Sequence, residues 1–217
     1  MKTYRRKLVW ALAAAALLLS GALIWFGLRS PAPAPLPFPE DNPPLALPEA
    51  EDPRRLATDI ILPIGELLTT REREAYEEGD LRLVLPRLGL DTPVLNGTEL
   101  TTLARAPGLY EYGQLPDMYN TNTSIAAHRD IYGRELYYAE TVTTGDFIYL
   151  IHRNKVFCYE YLSTEVVNPT NWNPIRTKGD CRVTLTTCEP RGASTQRLII
   201  VGTLTAVEDY SEDYEFR

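Results

Sequence analysis

The pattern of apolar and polar positions predicts two helices in the first 80 residues of the chain. An uncharged, mostly apolar run extends from Leu8 to Leu28. As a helix with a rise of about 1.5 Å per residue, this run spans roughly 30 Å, which is enough to cross a bilayer once. Farther along, residues 64–78 keep a helical spacing of apolar positions among charges, and Gly79 ends that pattern. We therefore predict one transmembrane helix and one amphipathic helix.

After Gly79 the apolar positions come in short runs that alternate with polar ones, which indicates β-strands. Gly, Pro, Asn and Asp residues separate the runs and favour turns between them. The predicted strands cover residues 81–85, 124–127, 146–151, 156–166, 182–187 and 198–204. His152 begins a predicted hairpin turn, where we expect it to have a surface role. The expected product is a mainly β domain, either a mostly antiparallel sheet or a barrel.

Charge gives the predicted transmembrane helix an orientation. Lys2, Arg5, Arg6 and Lys7 precede the apolar run, and only Arg29 follows it closely. The short N-terminus is therefore expected in the cytoplasm, with everything after the helix outside the cell. A cleaved signal peptide is the alternative, but the run exceeds the usual 7 to 15 apolar residues of such a signal, and prolines crowd the segment beyond it. We predict an uncleaved anchor in the cell membrane.

Composition divides the rest of the chain. Residues 30–56 alternate proline with small or acidic residues, which predicts an extended, semi-rigid extracellular linker. The predicted organisation is an anchor at 1–29, this linker at 30–56, a helical segment at 57–79, the β domain at 80–207 and an acidic tail at 208–217. The net charge of −7 argues against a nucleic-acid partner. No Gly-rich phosphate loop or tandem Cys pair is present.

The cysteines are the first candidates for chemistry. Cys158, Cys181 and Cys188 make an odd number, so outside the cell at least one thiol is unpaired unless it bonds another chain. Alternation along residues 182–188 places Cys188 at the end of a polar row that also contains Thr184 and Thr186. An isolated cysteine is also often a small buried residue. Cys158 and Cys181 are expected either to be buried in that way or to pair with each other.

A nucleophilic thiol needs a basic partner, because the thiolate attacks and an ordinary cysteine is mostly protonated at neutral pH. His128 ends the apolar stretch SIAAHR, where a strand leaves the core. Arg197 opens the strand that follows Cys188, nine residues later, so a tight loop can bring its guanidinium beside the thiol. An arginine there can donate paired hydrogen bonds to a carbonyl or a developing oxyanion. The three residues form a candidate acyl-transfer site.

These motifs together resemble one family. The chain contains, in order, the motifs AAHR, GDFIYL and TLTTC, followed by Arg197 and LIIV. This combination is similar to that of the sortases, which are cysteine transpeptidases of Gram-positive cell surfaces. The resemblance covers roughly residues 79–207. It implies a closed eight-stranded β-barrel with short helices. It also implies that Cys188 is the nucleophile, that His128 is the general acid and base, and that Arg197 positions substrate and stabilises the oxyanion.

The resemblance further implies a reaction and its partners. The substrates would be surface proteins or pilins with an LPxTG-like C-terminal sorting signal, cleaved between Thr and Gly through a thioester on Cys188. A peptidoglycan precursor or another amine acceptor would resolve the thioester, and this chemistry requires neither a metal nor an organic cofactor. Membrane lipid is a partner through the N-terminal helix. Thr187, Pro169, Trp172 and Ile175 are the candidate substrate-binding residues, although ordinary loop packing explains those in the loop equally well.

Two features depart from the family pattern, and two alternatives stay open. Ala127 stands where relatives often have glycine, and Glu189 follows the nucleophile, where a carboxylate disfavours the thiolate unless it points to solvent. Solvent exposure of Glu189 is the expectation.

The predicted role is anchoring of proteins to the cell wall, because the chain shows neither a second span nor an Asp-Pro-aromatic lid motif. Pilin polymerisation is the alternative within the family, and a non-catalytic, membrane-tethered β-barrel that binds a ligand is the alternative outside it.

Overall fold

The computed structural model describes residues 71–217. The predicted transmembrane helix, the proline-rich linker and residues 57–70 of the predicted helical segment lie outside that range. Within it, no helix combines the length and the apolar character needed to cross a membrane. The described part of the predicted amphipathic helix is α1 (Arg71–Glu74).

The described chain forms one nine-stranded sheet with a few short helices. The strands are β1 (Leu81–Leu85), β2 (Leu90–Pro93), β3 (Leu95–Asn96), β4 (Gly108–Leu109), β5 (Asn122–Ala126), β6 (Phe147–His152), β7 (Lys155–Val167), β8 (Arg182–Glu189) and β9 (Gln196–Asp209). The other helices are α2 (Leu100–Leu103) and the 3₁₀ turns Pro86–Leu88, Ala139–Thr141 and Asn173–Ile175. All six strands predicted from alternation are confirmed, with shifts at their ends.

The sheet curls into a nearly closed barrel. Its strand order is β2-β1-β6-β7-β9-β8-β5-β4-β3, so the two edge strands, β2 and β3, follow one another in the chain. Val94 alone separates them, and its amide donates a hydrogen bond to the Leu81 carbonyl at 2.8 Å. Edge strands joined through one residue require the sheet to wrap around. The closed barrel of eight strands that the resemblance implied is therefore corrected to a nearly closed sheet of nine, in which Val94 divides residues 90–96 into β2 and β3.

Alternation also decides which side chains fill the barrel. The sheet is antiparallel apart from the parallel pairs β3–β4 and β5–β8. Side chains at every second position of the central strands are fully buried and form one core. This core includes Leu81, Leu83, Leu85, Ile125, Ile148, Leu150, Leu185 and Ile200. Because the removal of apolar surface from water drives folding, this interior anchors the strands whose ends carry the candidate site.

His152 does not have the surface role expected from its place in the sequence. Arg153 and Asn154 form the hairpin turn with φ angles of 49° and 59°, as a two-residue turn of this kind requires. His152 itself is the last residue of β6 and is only 7% exposed. Its Nδ1 lies 2.9 Å from the carbonyl oxygen of Asp80, in the segment that leads into β1. The expectation was wrong because pairing of β6 with β1 brings a distant segment over the imidazole.

The acidic tail packs against the outside of the barrel. The Tyr210 amide donates to the Asn154 carbonyl at 2.9 Å, and Tyr214 and Phe216 contact Tyr149 on the outer face. Cys158 lies on the same face with its Sγ 3.5 Å from the Tyr214 hydroxyl, and burial raises the pKa of the Cys158 thiol. All three cysteines are free thiols. Of the two expectations for Cys158, burial is therefore confirmed and pairing with Cys181 is not.

Candidate active site

The parallel pair β5–β8 brings His128 and Cys188 to the same edge of the sheet. Ala126 is opposite Thr186 in the register, and the Ala127 amide continues the ladder with a 3.1 Å hydrogen bond to the Thr186 carbonyl. His128 and Cys188 each lie two residues beyond the paired residues Ala126 and Thr186. Neighbouring strands run about 4.8 Å apart, so the two catalytic candidates emerge side by side at the carboxyl ends of the pair.

Arg197 approaches Cys188 from the opposite side. The two residues are direct partners in the antiparallel register of β8 and β9. Directly opposed residues extend from the same face of a sheet, with Cβ atoms about 4.5–5.5 Å apart. The Arg197 Nη1 donates to the carbonyl of Ser194 in the short β8–β9 loop, at 3.1 Å, and to the carbonyl of Gln196, the first residue of β9, at 2.9 Å. These bonds hold the guanidinium over the end of the hairpin that carries the thiol.

His128 is held in a form that can accept a proton. Its side chain is 8% exposed, and its ring centroid lies 4.9 Å from that of Tyr132. Burial lowers the pKa of His128, and the carboxylate of Asp130 opposes that change only in part. The buried Nε2 has no hydrogen-bond partner within the described chain. A neutral imidazole with one free ring nitrogen suits a general base.

The polar row on β8 is present, and it leads to a residue that the sequence analysis missed. Thr186 Oγ1 lies 2.8 Å from the Tyr110 hydroxyl, and Thr184 donates to the Asn122 side chain at 2.8 Å. Burial raises the pKa of Tyr110, the guanidinium of Arg197 opposes this increase, and the Cys188 thiol adds to it. Tyr110 therefore lies close to Arg197 and to Cys188. Its place in the polar stretch after β4 gives no sequence signal of that role.

The four substrate-binding candidates have different surroundings. Thr187 is 4% exposed and its hydroxyl donates to the Ala127 carbonyl at 2.8 Å, so it ties β8 to β5. Ile175 is 5% exposed beneath its 3₁₀ turn. Trp172 is half-buried, and its ring meets that of Tyr110 edge-on at a centroid distance of 6.2 Å. Pro169 is partly exposed in the same loop. Thus Trp172 is the candidate that contacts a residue of the site, and substrate binding by all four stays a prediction.

Arg129 is a buried residue at the centre of an ion-pair network that the sequence analysis also missed. Its guanidinium is 3% exposed and donates to the Cys188 carbonyl at 3.0 Å, to the Glu189 carboxylate, and to Glu140 at 2.9 Å. Arg191 bonds the other oxygen of Glu140 at 3.0 Å. Glu189 was expected to point to solvent, and this was wrong, because a buried arginine beside it attracts its carboxylate.

Among residues 71–217, no cluster of three or more His, Cys, Asp or Glu residues is arranged to hold a metal ion.

Comparisons with known proteins agree with the geometry. The family model described as "Sortase domain" matches residues 83–205. Sortase SrtE1 of Streptomyces coelicolor is 28% identical over 140 residues, which cover 58% of this chain but only 40% of that protein. Streptococcus pneumoniae sortase C, whose crystal structure is reported to give insights into catalysis and pilin substrate specificity, has a TM-score of 0.55 and 27% identity, over 58% of this chain and 67% of that one.

A second solved structure extends the comparison to a bound state. It is Clostridium perfringens sortase C with the C-terminal cell wall sorting motif, which has a TM-score of 0.56 and 27% identity over 60% of this chain and 73% of that one. The residues matched by the family model make up more than half of the chain and contain β2 to β8, with Cys188, His128 and Arg197 at the edge just described. The chain therefore belongs to the sortase family.

Proposed function

We propose that this chain is a cysteine transpeptidase that cleaves an LPxTG-like sorting signal and transfers the acyl part to an amine. The observation that carries the proposal is the convergence of Cys188, His128 and Arg197 at one edge of the barrel. Cys188 and Arg197 lie near the adjoining ends of β8 and β9, and His128 lies two residues beyond the end of β5, the other neighbour of β8 in the sheet.

The first stage forms a thioester. The Cys188 thiolate attacks the carbonyl carbon of the signal's threonine, and the peptide bond to glycine breaks when its nitrogen receives a proton from His128. The imidazole can serve because burial keeps it neutral until it takes the thiol proton. In the second stage an incoming amine attacks the thioester, His128 removes the amine's extra proton, and Cys188 leaves as a thiolate.

Arg197 would stabilise the oxyanion that forms in each stage. A guanidinium carries five N–H donors, and the contacts to Ser194 and Gln196 both involve Nη1. The other donors can therefore serve the substrate while these two carbonyls hold the group in place. Fixed donors directed at developing charge are worth more than donors that must reorganise.

The aromatic pair of Tyr110 and Trp172 is the proposed wall of the substrate groove. This proposal is supported by their edge-on contact and by the hydrogen bond between Tyr110 and Thr186, two residues before Cys188. The Clostridium relative solved with a sorting motif supports this substrate class. The amine of a cell-wall precursor is the first choice of acceptor. Pilin polymerisation is the second candidate, favoured by the pilin specificity attributed to the Streptococcus relative.

The proposed location is the cell membrane, with the barrel on the outer side, since the apolar run at Leu8–Leu28 and the preceding positive charges predict that topology. Membrane fractionation of producing cells, followed by protease treatment of intact cells whose wall has been removed, tests it. Barrel peptides should be released from outside. A chain that stays in the soluble fraction would refute the location.

The activity is tested by incubating the purified chain with a panel of sorting-signal peptides and an amine, with products read by mass spectrometry. We expect Thr-Gly cleavage and ligation in the native chain and neither in Cys188→Ala, whose melting temperature should stay near the native value. Thiol-selective labelling provides a second reading, because Cys188 should react faster than the buried Cys158 with its raised pKa. Turnover in Cys188→Ala, or an inert Cys188 in a folded chain, would refute the proposal in favour of a binding module.

A further inference from the structure

Arg129, the residue after the proposed general base, makes a hydrogen bond to the backbone of Cys188, the proposed nucleophile. Arg129 follows His128 at the end of β5, and its Nη1 donates to the backbone carbonyl of Cys188 at 3.0 Å. The Arg129 side chain is 3% exposed, and its bond to the Cys188 carbonyl is partly buried. A single buried side chain thus links the carboxyl ends of the two strands on which the site is built.

The same guanidinium also pairs with two carboxylates. Nη1 bonds Glu189, the residue directly after Cys188, and Nη2 bonds Glu140 at 2.9 Å. The carboxylate of Glu140 is shared with Arg191, whereas Arg129 is the only ion-pair partner of Glu189 among residues 71–217. Removal of Arg129 would therefore leave Glu140 paired and Glu189 unpaired.

An unpaired carboxylate next to the nucleophile has a predictable effect. A negative charge near a thiol disfavours its ionisation, and an adjacent positive charge favours it. Several charged or titratable groups face this edge of the sheet from the elements around it. They are His128, Arg129 and Asp130 after β5, Glu189 on β8, Arg191 in the loop, Arg197 on β9, Tyr110 after β4 and Glu140 in its 3₁₀ turn.

We propose that Arg129 is a positioning residue of this site, which fixes the Cys188 carbonyl and neutralises Glu189 so that its carboxylate does not oppose thiolate formation. Arg129 touches neither the reacting thiol nor, on this view, the substrate. Its effect passes through Cys188 and Glu189. Only its effect on turnover rests on the proposed function, because the reactivity of the thiol can be measured without any substrate.

The test is a double-mutant cycle on the whole 217-residue chain. Arg129→Gln, Glu189→Gln and the double variant are alkylated with iodoacetamide across a pH range, and labelling of the Cys188 peptide is followed by mass spectrometry. The matched control is Arg191→Gln, which also loses an ion pair to Glu140, whereas the bonds to Glu189 and to the Cys188 carbonyl come from Arg129. Melting temperature is measured on every variant.

The expected shifts have opposite signs. Arg129→Gln should raise the pH of half-maximal alkylation by about half to one unit, since Glu189 is then uncompensated. Glu189→Gln should lower it, and the double variant should return close to the native value. Arg191→Gln should shift it less than Arg129→Gln does, because Arg191 pairs with Glu140 and not with Glu189. An unshifted Arg129→Gln, or a shift that Glu189→Gln does not reverse, would overturn the charge role.

The positioning role is read from turnover. The double variant regains the native charge balance but still lacks the bond to the Cys188 carbonyl, so kcat should stay reduced about tenfold with KM little changed. Native kcat in the double variant would overturn that part of the proposal. If Arg129→Gln fails to fold, Glu189→Gln alone must still lower the alkylation pH, and an unchanged value there overturns the proposal. A native chain that turns over no peptide would count against the proposed function, while the alkylation cycle would still decide the charge role.

Discussion

Arg73 lies before the residues matched by the sortase family model, yet it holds the backbone of a residue in the site. Its side chain is 4% exposed and donates to the Tyr110 carbonyl at 2.9 Å and to the Asn96 side chain at 2.8 Å. Weaker contacts reach the Leu109 carbonyl at 3.4 Å and, through Nε, the Tyr110 carbonyl at 3.3 Å. Tyr110 in turn bonds Thr186 on the strand of the nucleophile. We therefore predict that Arg73→Met impairs both stability and turnover.

The magnitude follows from the two short bonds. Hydrogen bonds that involve a charged group contribute about 1.5–3 kcal/mol each, which sums to about 3–6 kcal/mol for two. Burial of the Arg73 charge has a desolvation cost, which also lowers the pKa of Arg73 in the folded protein. Arg73→Met removes this cost, so the net loss of stability is smaller than the sum of the two bonds. We expect a net loss of about 2–4 kcal/mol in the free energy of unfolding. For a domain of this size that is a fall of roughly 5–15 °C in melting temperature.

The assay combines thermal unfolding with peptide turnover, each on the native chain, on Arg73→Met and on a control. The control is Arg105→Met, which removes the ion pair to Glu78. Glu78, like Arg73, lies in the segment before β1, and the side chains of Arg105 and Glu78 are 62% and 44% exposed. An exposed pair of this kind contributes about 0–1 kcal/mol, so the control should unfold and turn over nearly as the native chain does. Arg73→Met should lose more turnover than its unfolded fraction explains. Equal stability of Arg73→Met and Arg105→Met would refute the reasoning.

Two further variants test the proposed catalytic groups. Arg197→Lys keeps the charge but loses the planar fork, so turnover should fall by about 10² to 10³ with only a small change in melting temperature; normal turnover would exclude the paired-donor role. His128→Gln should flatten the dependence of stability on pH. Burial lowers the pKa of His128 in the folded chain below the ordinary value of 6.5, so the unfolded chain takes up this proton at a higher pH than the folded chain does. The native chain therefore loses stability as the pH falls from about 6.5 through the pKa of the folded state. Thermal melts from pH 8 to pH 5 measure this, and parallel curves for the native chain and His128→Gln would contradict it.

The sequence by itself determined the local features of the fold. Alternation located the six longer strands because side chains of a half-buried strand must face the core and the solvent in turn. It also predicted that Cys188 ends the polar row that begins at Thr184. The pairing of Cys188 with Arg197 was accessible for the same reason, since two strands joined by a short loop pair as neighbours and their register is set locally.

The tertiary structure alone decided which distant residues meet. His128 and Cys188 lie at the same edge of the sheet because β5 pairs in parallel with β8, and nothing in the periodicity of either strand specifies that partner. The burial of His152 and the pairing of Glu189 were mispredicted for a related reason. A polar group can be buried where a distant segment supplies its partner, as the Asp80 carbonyl and the Arg129 guanidinium do here. Periodicity reports which face a residue occupies, whereas only the folded chain determines what lies against that face.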